Sequence, residues 1–286
     1  MNKENKDKFY VGAHASIAKG FCNSLKSIDV IGGNAVQIFL KSPQGRASKP
    51  LEDKDAMETF GFLKEKEIFL VGHCSYLLNF AKEFKEDPWA VESLIDDMKK
   101  ISRLGGKGVV LHIGKYVGME KKIAFDNIKK SVELVLEKTP SDVKVIFENT
   151  AGQGTEIGYR FEELSEIYNM FSKEEKMRIG FCLDTCHSFA AGYDLRNKDG
   201  VAEWKNSFDK LIGWEKVVCI HFNDAKKELA SRVDRHQDIG FGFIGNEGLK
   251  EVAIIAKHTN KPLILETTTE HESYDIQIET IKGWVK

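Results

Sequence analysis

The sequence has no long apolar run, no low-complexity tract and no large excess of charge of one sign. No apolar stretch approaches the roughly 18 residues that a membrane span requires, so we expect no membrane segment. Residues 1–8 are rich in charge and lack the apolar centre of a signal peptide, which predicts a solvated tail. No linker rich in proline, glycine or serine divides the rest, so we expect one domain over residues 9–286.

Cysteine is also scarce. The chain has five thiols, an odd number without the spacing of a disulfide framework: Cys22, Cys74, Cys182, Cys186 and Cys219. Cys182 and Cys219 fall inside apolar segments, where a free thiol behaves as a small hydrophobic side chain. This usage favours a reducing, cytoplasmic compartment.

What the chain does contain is a series of short apolar segments that stop at a histidine or an acidic residue. Seven of them end at His14, His73, His112, Glu148, Asp184, His221 and Glu266, and residues 35–40 form an eighth without such an ending. Apolar runs without alternation are typical of parallel strands buried on both faces. Segments of helical periodicity separate them, for example from Asp87-Pro88 to Gly105-Gly106. The alternation predicts a single α/β barrel, which typically takes about 250 residues.

A closed parallel barrel brings the C-terminal ends of its strands to one place, where barrel enzymes have their active sites. Imidazole nitrogen and carboxylate oxygen are the ligands of catalytic zinc, which keeps one coordination position open. His187 lies one turn beyond Asp184, and Asp234 and His236 share one side of an extended loop. The candidate ligands number nine, too many for one zinc: His73, His112, Glu148, Asp184, His187, His221, Asp234, His236 and Glu266.

These residue types also have simpler interpretations. A lone histidine is most often a structural residue, and we interpret His258 and His271 in this way. Two or three acids alone would suit general acid–base chemistry without a metal. Cys186 beside His187 suggests a cysteine nucleophile, but a thiolate needs a stabilising environment, which a crowd of metal ligands disfavours.

Four segments resemble the signature segments of endonuclease IV, the zinc-dependent apurinic/apyrimidinic (AP) endonuclease family of base-excision repair. They read ENTAGQG at 148–154, DTCHSFAAGYD at 184–194, HFNDAK at 221–226 and SRVDRH at 231–236. The resemblance covers nearly the whole chain and implies a TIM (β/α)8 barrel with three zinc ions. It assigns one zinc to His73, His112 and Glu148. It assigns the second to Glu148, Asp184, His221 and Glu266, and the third to His187, Asp234 and His236.

The resemblance also implies an activity. The expected reaction is hydrolysis of the phosphodiester 5′ to an abasic site in double-stranded DNA, giving a 3′-OH and a 5′-deoxyribose phosphate. The nucleophile would be a metal-bound water, Glu148 would bridge two metals, and the protein would act as a monomer. The formal net charge of −2 is unusual for a DNA-binding protein, but three zinc ions, contributing +6, would change it to +4.

Two groups of loop residues are candidates for DNA contact. Tyr76 and Leu77 match a pair that wedges into the duplex in this family, although ordinary packing is the alternative. Basic residues after the second and seventh strands are candidates for phosphate contact: Lys41, Arg46, Lys49, Lys226, Lys227, Arg232 and Arg235. Residues 41–46 resemble the family's second DNA-penetrating loop, in which Gln44 stands where an arginine is common and Arg46 is the alternative for entering the DNA. The loops after strands two, six and seven are expected to be long.

Two other functions remain open from the sequence. A metal-dependent sugar isomerase or epimerase of the same barrel superfamily would need only one or two metals and a sugar pocket. A non-catalytic protein that binds abasic DNA would tolerate the loss of ligands. The number of metals per chain discriminates between the enzymes, because the isomerase has no use for the third set of ligands.

Overall fold

Eight parallel strands close into a barrel, with helices around it. A computed structural model describes residues 8–43, 45, 46, 48 and 50–286. The barrel strands are β1 (Val11–Ala15), β2 (Ala35–Phe39), β3 (Phe69–His73), β4 (Gly108–His112), β5 (Lys144–Glu148), β6 (Ile179–Asp184), β7 (Val217–His221) and β10 (Leu263–Leu265). Their order around the barrel is β1-β10-β7-β6-β5-β4-β3-β2. The predicted single TIM barrel is confirmed.

The remaining elements are helices and one short strand pair. The helices are α1 (Phe21–Val30), α2 (Asp53–Lys66), α3 (Pro88–Arg103), α4 (Lys121–Glu137), α5 (Phe161–Asn169), α6 (Lys173–Lys176), α7 (Thr185–Ala191), α8 (Lys198–Leu211), α9 (Gly245–His258) and α10 (Tyr274–Trp284), with a 3-10 turn at Trp214–Lys216. The strands β8 (Asp224–Ala225) and β9 (His236–Gln237) pair antiparallel above the barrel. No helix in the described part of the chain is both long and apolar enough to cross a membrane.

The predicted strand ends agree closely with the structure. Five strands, β3 to β7, end at the expected histidine or acid, whereas β1 continues one residue past His14 and β10 ends one residue before Glu266. The loops after β2 and β7 are long, as expected, and so are those after β3 and β5. The prediction of a long loop after β6 is wrong. Helix α7 begins directly at Thr185, because the Asp184 carboxylate caps it by accepting a hydrogen bond from the His187 amide at 2.7 Å.

Inside the barrel, an apolar layer lies directly beneath the mouth. Its members are fully buried: Ala35, Val71, Val110, Ile146, Cys182, Cys219 and Ile264. Side chains alternate between the two faces of a strand, so the residue two positions later also points inward. On six of these strands that residue is a candidate metal ligand. The apolar layer therefore forms the floor of the site.

Candidate metal centre

The structure brings all nine candidate ligands together at the mouth of the barrel. They form three groups whose ligand atoms lie within 4.8 Å of one another: His73/His112/Glu148, Glu148/Asp184/His221/Glu266 and His187/Asp234/His236. These groups coincide with the three sets that the family resemblance implies. A further group, Asp184/Cys186/His236, overlaps two of them.

Glu148 lies at the centre and is fully buried. Its Oε2 lies 3.2 Å from His73 Nε2 and 3.0 Å from His112 Nε2. Its Oε1 lies 2.9 Å from His221 Nδ1, in the second group. Burial disfavours the charged carboxylate, but His221 and His112 outweigh that cost and hold the pKa of Glu148 well below its usual range. One carboxylate thus presents an oxygen to each of two adjacent groups.

Four of the histidine rings are oriented by oxygen atoms that are not themselves candidate ligand atoms. The acceptor is a backbone carbonyl for three rings and a side-chain amide for the fourth: His73 Nδ1 donates to Cys74 O (2.8 Å), His187 Nδ1 to Asn149 O (2.9 Å), His236 Nδ1 to Glu266 O (3.1 Å) and His221 Nε2 to Gln37 Oε1 (2.7 Å). Such bonds fix the tautomer and leave the other nitrogen of each ring to bind a metal.

The third group shows that a cation fits the site. The Nε2 atoms of His187 and His236 are buried and have no hydrogen-bond partner among the described residues. They lie 3.3 Å and 3.5 Å from the same carboxylate oxygen, Asp234 Oδ1. Buried polar atoms without partners are costly and rare, and a zinc ion would satisfy both. The residues present therefore suit the metal that the family implies.

The raised pKa values of two histidines also indicate that the site needs positive charge. Burial disfavours a charged His221, yet Glu266 and Glu148 raise its pKa to about 10. His187 is likewise buried, and the carboxylates of Asp184 and Asp234 raise its pKa well above the usual range. Protons on these rings therefore supply the positive charge that the buried carboxylates need when no metal is bound. A metal ion would take over this role and release protons as it binds.

Sequence reasoning missed the residues that hold the ligands. Gln37 donates to Glu266 Oε1 at 2.6 Å, in addition to its bond with His221. Asn223 Nδ2 donates to Asp184 Oδ2 at 2.8 Å, and the amide of Asp184 donates to Asn149 Oδ1 at 2.7 Å. A signal for Gln37 was available, because it is a polar residue within a buried apolar strand. It also occupies the inward position that ligands occupy on neighbouring strands.

Tyr76 and Leu77 stand at the rim of the mouth. Their side chains are 53% and 49% exposed, so they are not core residues. The Tyr76 ring packs against the rings of His73 and His112, with centroids 5.3 Å and 5.7 Å away. Tyr76 also lines an open cavity of about 280 Å³, together with His112, His187, Asp234, Arg235, His236, Glu266 and Thr268. Candidate ligands thus face the solvent through this cavity.

The remaining loop candidates for DNA contact have different surroundings. Gln44 and Lys49 lie outside the described residues. The Arg46 guanidinium lies 4.7 Å from the centre of the Trp89 ring, and that of Arg232 lies 4.7 Å from the centre of the Tyr159 ring. Lys226 pairs with Glu270 at 2.9 Å, and Arg235 lines the cavity.

The expectation of a phosphate contact for Lys41 is wrong. Its side chain is 3% exposed and its Nζ donates to Ser93 Oγ at 2.7 Å, so it is committed to the protein interior. A residue beside a strand end can turn outward to solvent or inward to a neighbouring helix, and the sequence does not distinguish the two directions.

The remaining sequence interpretations concern cysteine and two histidines. All five cysteines are free and buried. Burial raises the pKa of the Cys186 thiol, and its Sγ donates to Arg235 O at 3.4 Å, which disfavours a thiolate nucleophile. His271 stacks on Phe241 with ring centroids 4.6 Å apart, and His258 is exposed at the end of α9.

Comparisons with known proteins identify the family of the chain. The family model for the xylose isomerase-like TIM barrel matches residues 26–284. A protein that bears the name endonuclease 4, from Acanthamoeba polyphaga mimivirus, is 35% identical over 96% of this chain and 93% of its own length. Endonuclease IV from Thermus thermophilus has a TM-score of 0.85 and 31% identity, covering 96% of this chain and 98% of that structure.

More distant structures share only the fold. A D-tagatose 3-epimerase-like protein has a TM-score of 0.71 and 19% identity, covering 96% of this chain and 97% of its own. Identity at this level carries no information about the reaction. The much higher identities, over nearly complete lengths, are those to proteins with endonuclease names. The chain therefore belongs to the endonuclease IV family of xylose isomerase-like TIM barrels.

Proposed function

We propose that the protein is a zinc-dependent AP endonuclease that hydrolyses the phosphodiester on the 5′ side of abasic sites in double-stranded DNA. The products would be a 3′-OH and a 5′-deoxyribose phosphate. The observation that carries the proposal is the third ligand group, His187/Asp234/His236, beside the two groups that share Glu148. Hydrolysis of a phosphodiester places negative charge on the attacking water oxygen and on the leaving 3′-oxygen of the sugar, and several cations in one site would stabilise both.

The residues that would hold zinc are those of the three groups. Four carboxylates contribute −4 against the +6 of three zinc ions, so the loaded site would attract a phosphodiester. Zinc held there would act as a Lewis acid and would lower the pKa of a bound water to near neutral. Glu148 would hold two adjacent cations together, and the oxygens that accept hydrogen bonds from the histidine rings would keep those ligands oriented.

The chain's other contribution is to bind and present the DNA. Tyr76 and Leu77 are exposed beside the first ligand group, where they can enter the duplex next to the lesion. Inserting an apolar wedge costs a few kcal/mol of base stacking, and least at a damaged step. The open cavity beside Tyr76 gives an extruded abasic sugar and its phosphate access to the ligands.

The experiment is a nicking assay with a duplex that contains one tetrahydrofuran abasic analogue. We expect the zinc-loaded protein to cut on the 5′ side and to leave an end that a polymerase extends. The analogue cannot undergo β-elimination, so a lyase would leave it intact. An undamaged duplex of the same sequence is the control, and an intact analogue strand with zinc fully loaded would refute the proposal.

The alternative, a sugar isomerase or epimerase, is favoured only by the fold. It makes no use of an exposed Tyr76–Leu77 pair or of a third metal group. Metal content separates the two: three zinc ions per chain agree with the endonuclease, and one agrees with the isomerase. Epimerisation of a ketohexose without nicking would establish the alternative.

A further inference from the structure

The described residues of the loop that joins β2 to α2 lie along one face of α3. They contact the helix at successive turns. Arg46 contacts Trp89, Lys41 contacts Ser93 and Asp97, Ser48 contacts Asp96 and Lys100, and the Leu51 carbonyl contacts Arg103. Positions three and four apart share one helix face, so a continuous stripe of α3 holds this loop. None of these α3 residues belongs to the metal centre.

The most deeply buried contact of the stripe is an ion pair. Lys41 Nζ lies 3.2 Å from Asp97 Oδ1, and the Asp97 side chain is fully buried. The ammonium group also donates to Ser93 O at 3.0 Å and to Ser93 Oγ at 2.7 Å. Neither Asp97 oxygen accepts a hydrogen bond from the described residues. Burial raises the pKa of Asp97 to about 7, and the Lys41 ammonium opposes that rise. Loss of Lys41 would leave the buried Asp97 carboxylate without this cation. Loss of Asp97 would leave Lys41 with Asp96 Oδ2 at 3.5 Å as its remaining acidic partner.

Two residues beyond Lys41, the same loop supports the exposed rim. The Pro43 carbonyl oxygen accepts hydrogen bonds from Ser75 Oγ at 2.7 Å and from the Tyr76 amide at 3.2 Å. A continuous path of contacts therefore runs from Asp97 through Lys41 and the Pro43 carbonyl to Tyr76. The loop after β2 therefore anchors the backbone that carries Tyr76 and, next to it, Leu77.

We propose that Asp97 and Lys41 form a positioning pair that fixes the Pro43 carbonyl and, through it, holds Tyr76 and Leu77 in the geometry that binds DNA. Lys41 then serves the DNA site without touching DNA. The proposal rests on the proposed function, because it concerns the same DNA-binding rim. Since the pair lies outside the three ligand groups, its loss should affect DNA binding and leave the chemical step unchanged.

The test uses two variants of the zinc-loaded protein. Asp97→Asn removes one charge, and the double variant Lys41→Met/Asp97→Leu removes both and leaves no buried charge unpaired, which favours folding. We expect each to raise KM for abasic duplex about tenfold, a tenfold change being 1.4 kcal/mol of binding. The values of kcat and of zinc content should stay within twofold of the wild type.

A second measurement needs neither DNA nor activity. Hydrogen–deuterium exchange of the peptide that contains Tyr76 should become faster in both variants, because the Tyr76 amide loses a fixed acceptor. Asp97→Glu keeps the carboxylate, so KM and the protection of the Tyr76 amide from exchange should be close to those of the wild type. Glu58→Gln, which neutralises the exposed Lys26–Glu58 pair between α1 and α2, is the matched control and should change nothing.

The outcomes separate the two proposals. Unchanged KM and unchanged Tyr76 exchange in both variants would overturn the positioning role, and so would a loss confined to kcat. If the wild-type protein fails to nick, the proposed function fails, yet the exchange measurement still decides whether the pair holds Tyr76.

Discussion

The inside of the barrel consists of two layers that differ in chemistry although the same strands build both. The lower layer is apolar and fully buried, and it contains Val71, Val110, Ile146 and Ile264. The upper layer, two residues further along each strand, contains histidines and acids that contact one another. The same inward direction is therefore used for packing at one level and for ligands at the next.

This arrangement separates stability from chemistry over a distance of two residues. An ion site needs fixed side chains, and the close-packed layer beneath supplies that rigidity. Conversely, the buried carboxylates above oppose folding until a cation or protonated histidines compensate them. We therefore expect substitutions in the upper layer to affect turnover and metal binding, and substitutions in the lower layer to affect the free energy of unfolding.

The largest effect should come from the centre of the upper layer. Glu148→Gln replaces a carboxylate that faces two ligand groups with a neutral amide, which cannot hold two cations together. We expect nicking of the abasic duplex to fall by orders of magnitude while circular dichroism shows a folded barrel. Glu279→Gln, an exposed acid on α10, is the control. Wild-type turnover in the Glu148 variant would exclude a shared ligand at this position.

The same strand tests the lower layer. Ile146→Ala leaves a cavity beneath Glu148 and should reduce the free energy of unfolding by about 2–5 kcal/mol. Below its lowered melting temperature, the variant should bind the same number of zinc ions and keep kcat within a few fold. A collapse of kcat with little loss of stability would show that the two layers are not separable.

Gln37 sharpens the comparison, because it occupies an upper-layer position without being a ligand candidate. It bonds to both His221 and Glu266. Removing the hydrogen-bond partner of a metal ligand typically weakens metal binding roughly 10–100-fold. We expect Gln37→Leu to weaken zinc binding by that factor. Zinc titration measures it, and excess zinc should restore nicking. If excess zinc restores nothing, Gln37 acts on the reaction in some other way.

The two layers also explain what the sequence could predict. Ligands at strand ends are predictable, since the end of a parallel barrel strand has a fixed place and direction. Gln37 was missed because a single amide within a strand belongs to no motif, and its inward position becomes a signal only when it is compared with the ligand positions on the neighbouring strands. Lys41 was misjudged because its partner, Asp97, lies on another element, and no local pattern shows which way a loop side chain turns. The capping of α7 by Asp184 was missed because its role as a ligand candidate hid its second role as a helix cap.

The smallest effect is expected at the rim, where a side chain belongs to neither layer. Tyr76 is 53% exposed, so Tyr76→Ala should hardly change the melting temperature. If the ring stacks against DNA, the variant should bind abasic duplex more weakly by about 1–3 kcal/mol, the usual worth of an aromatic–base stack. Because the ring also packs on His73 and His112, zinc content must be measured on the same sample.

The control for this variant is an exposed aromatic residue far from the mouth. Phe60, 42% exposed on α2, offers the same loss of ring area, and Phe60→Ala should leave DNA affinity unchanged. A drop in the melting temperature of the Tyr76 variant at unchanged affinity would mean that Tyr76 supports the metal layer beneath it. Weaker binding with full zinc content and an unchanged melting temperature would instead assign the ring to the DNA, and the rim would then form a third functional level above the two layers.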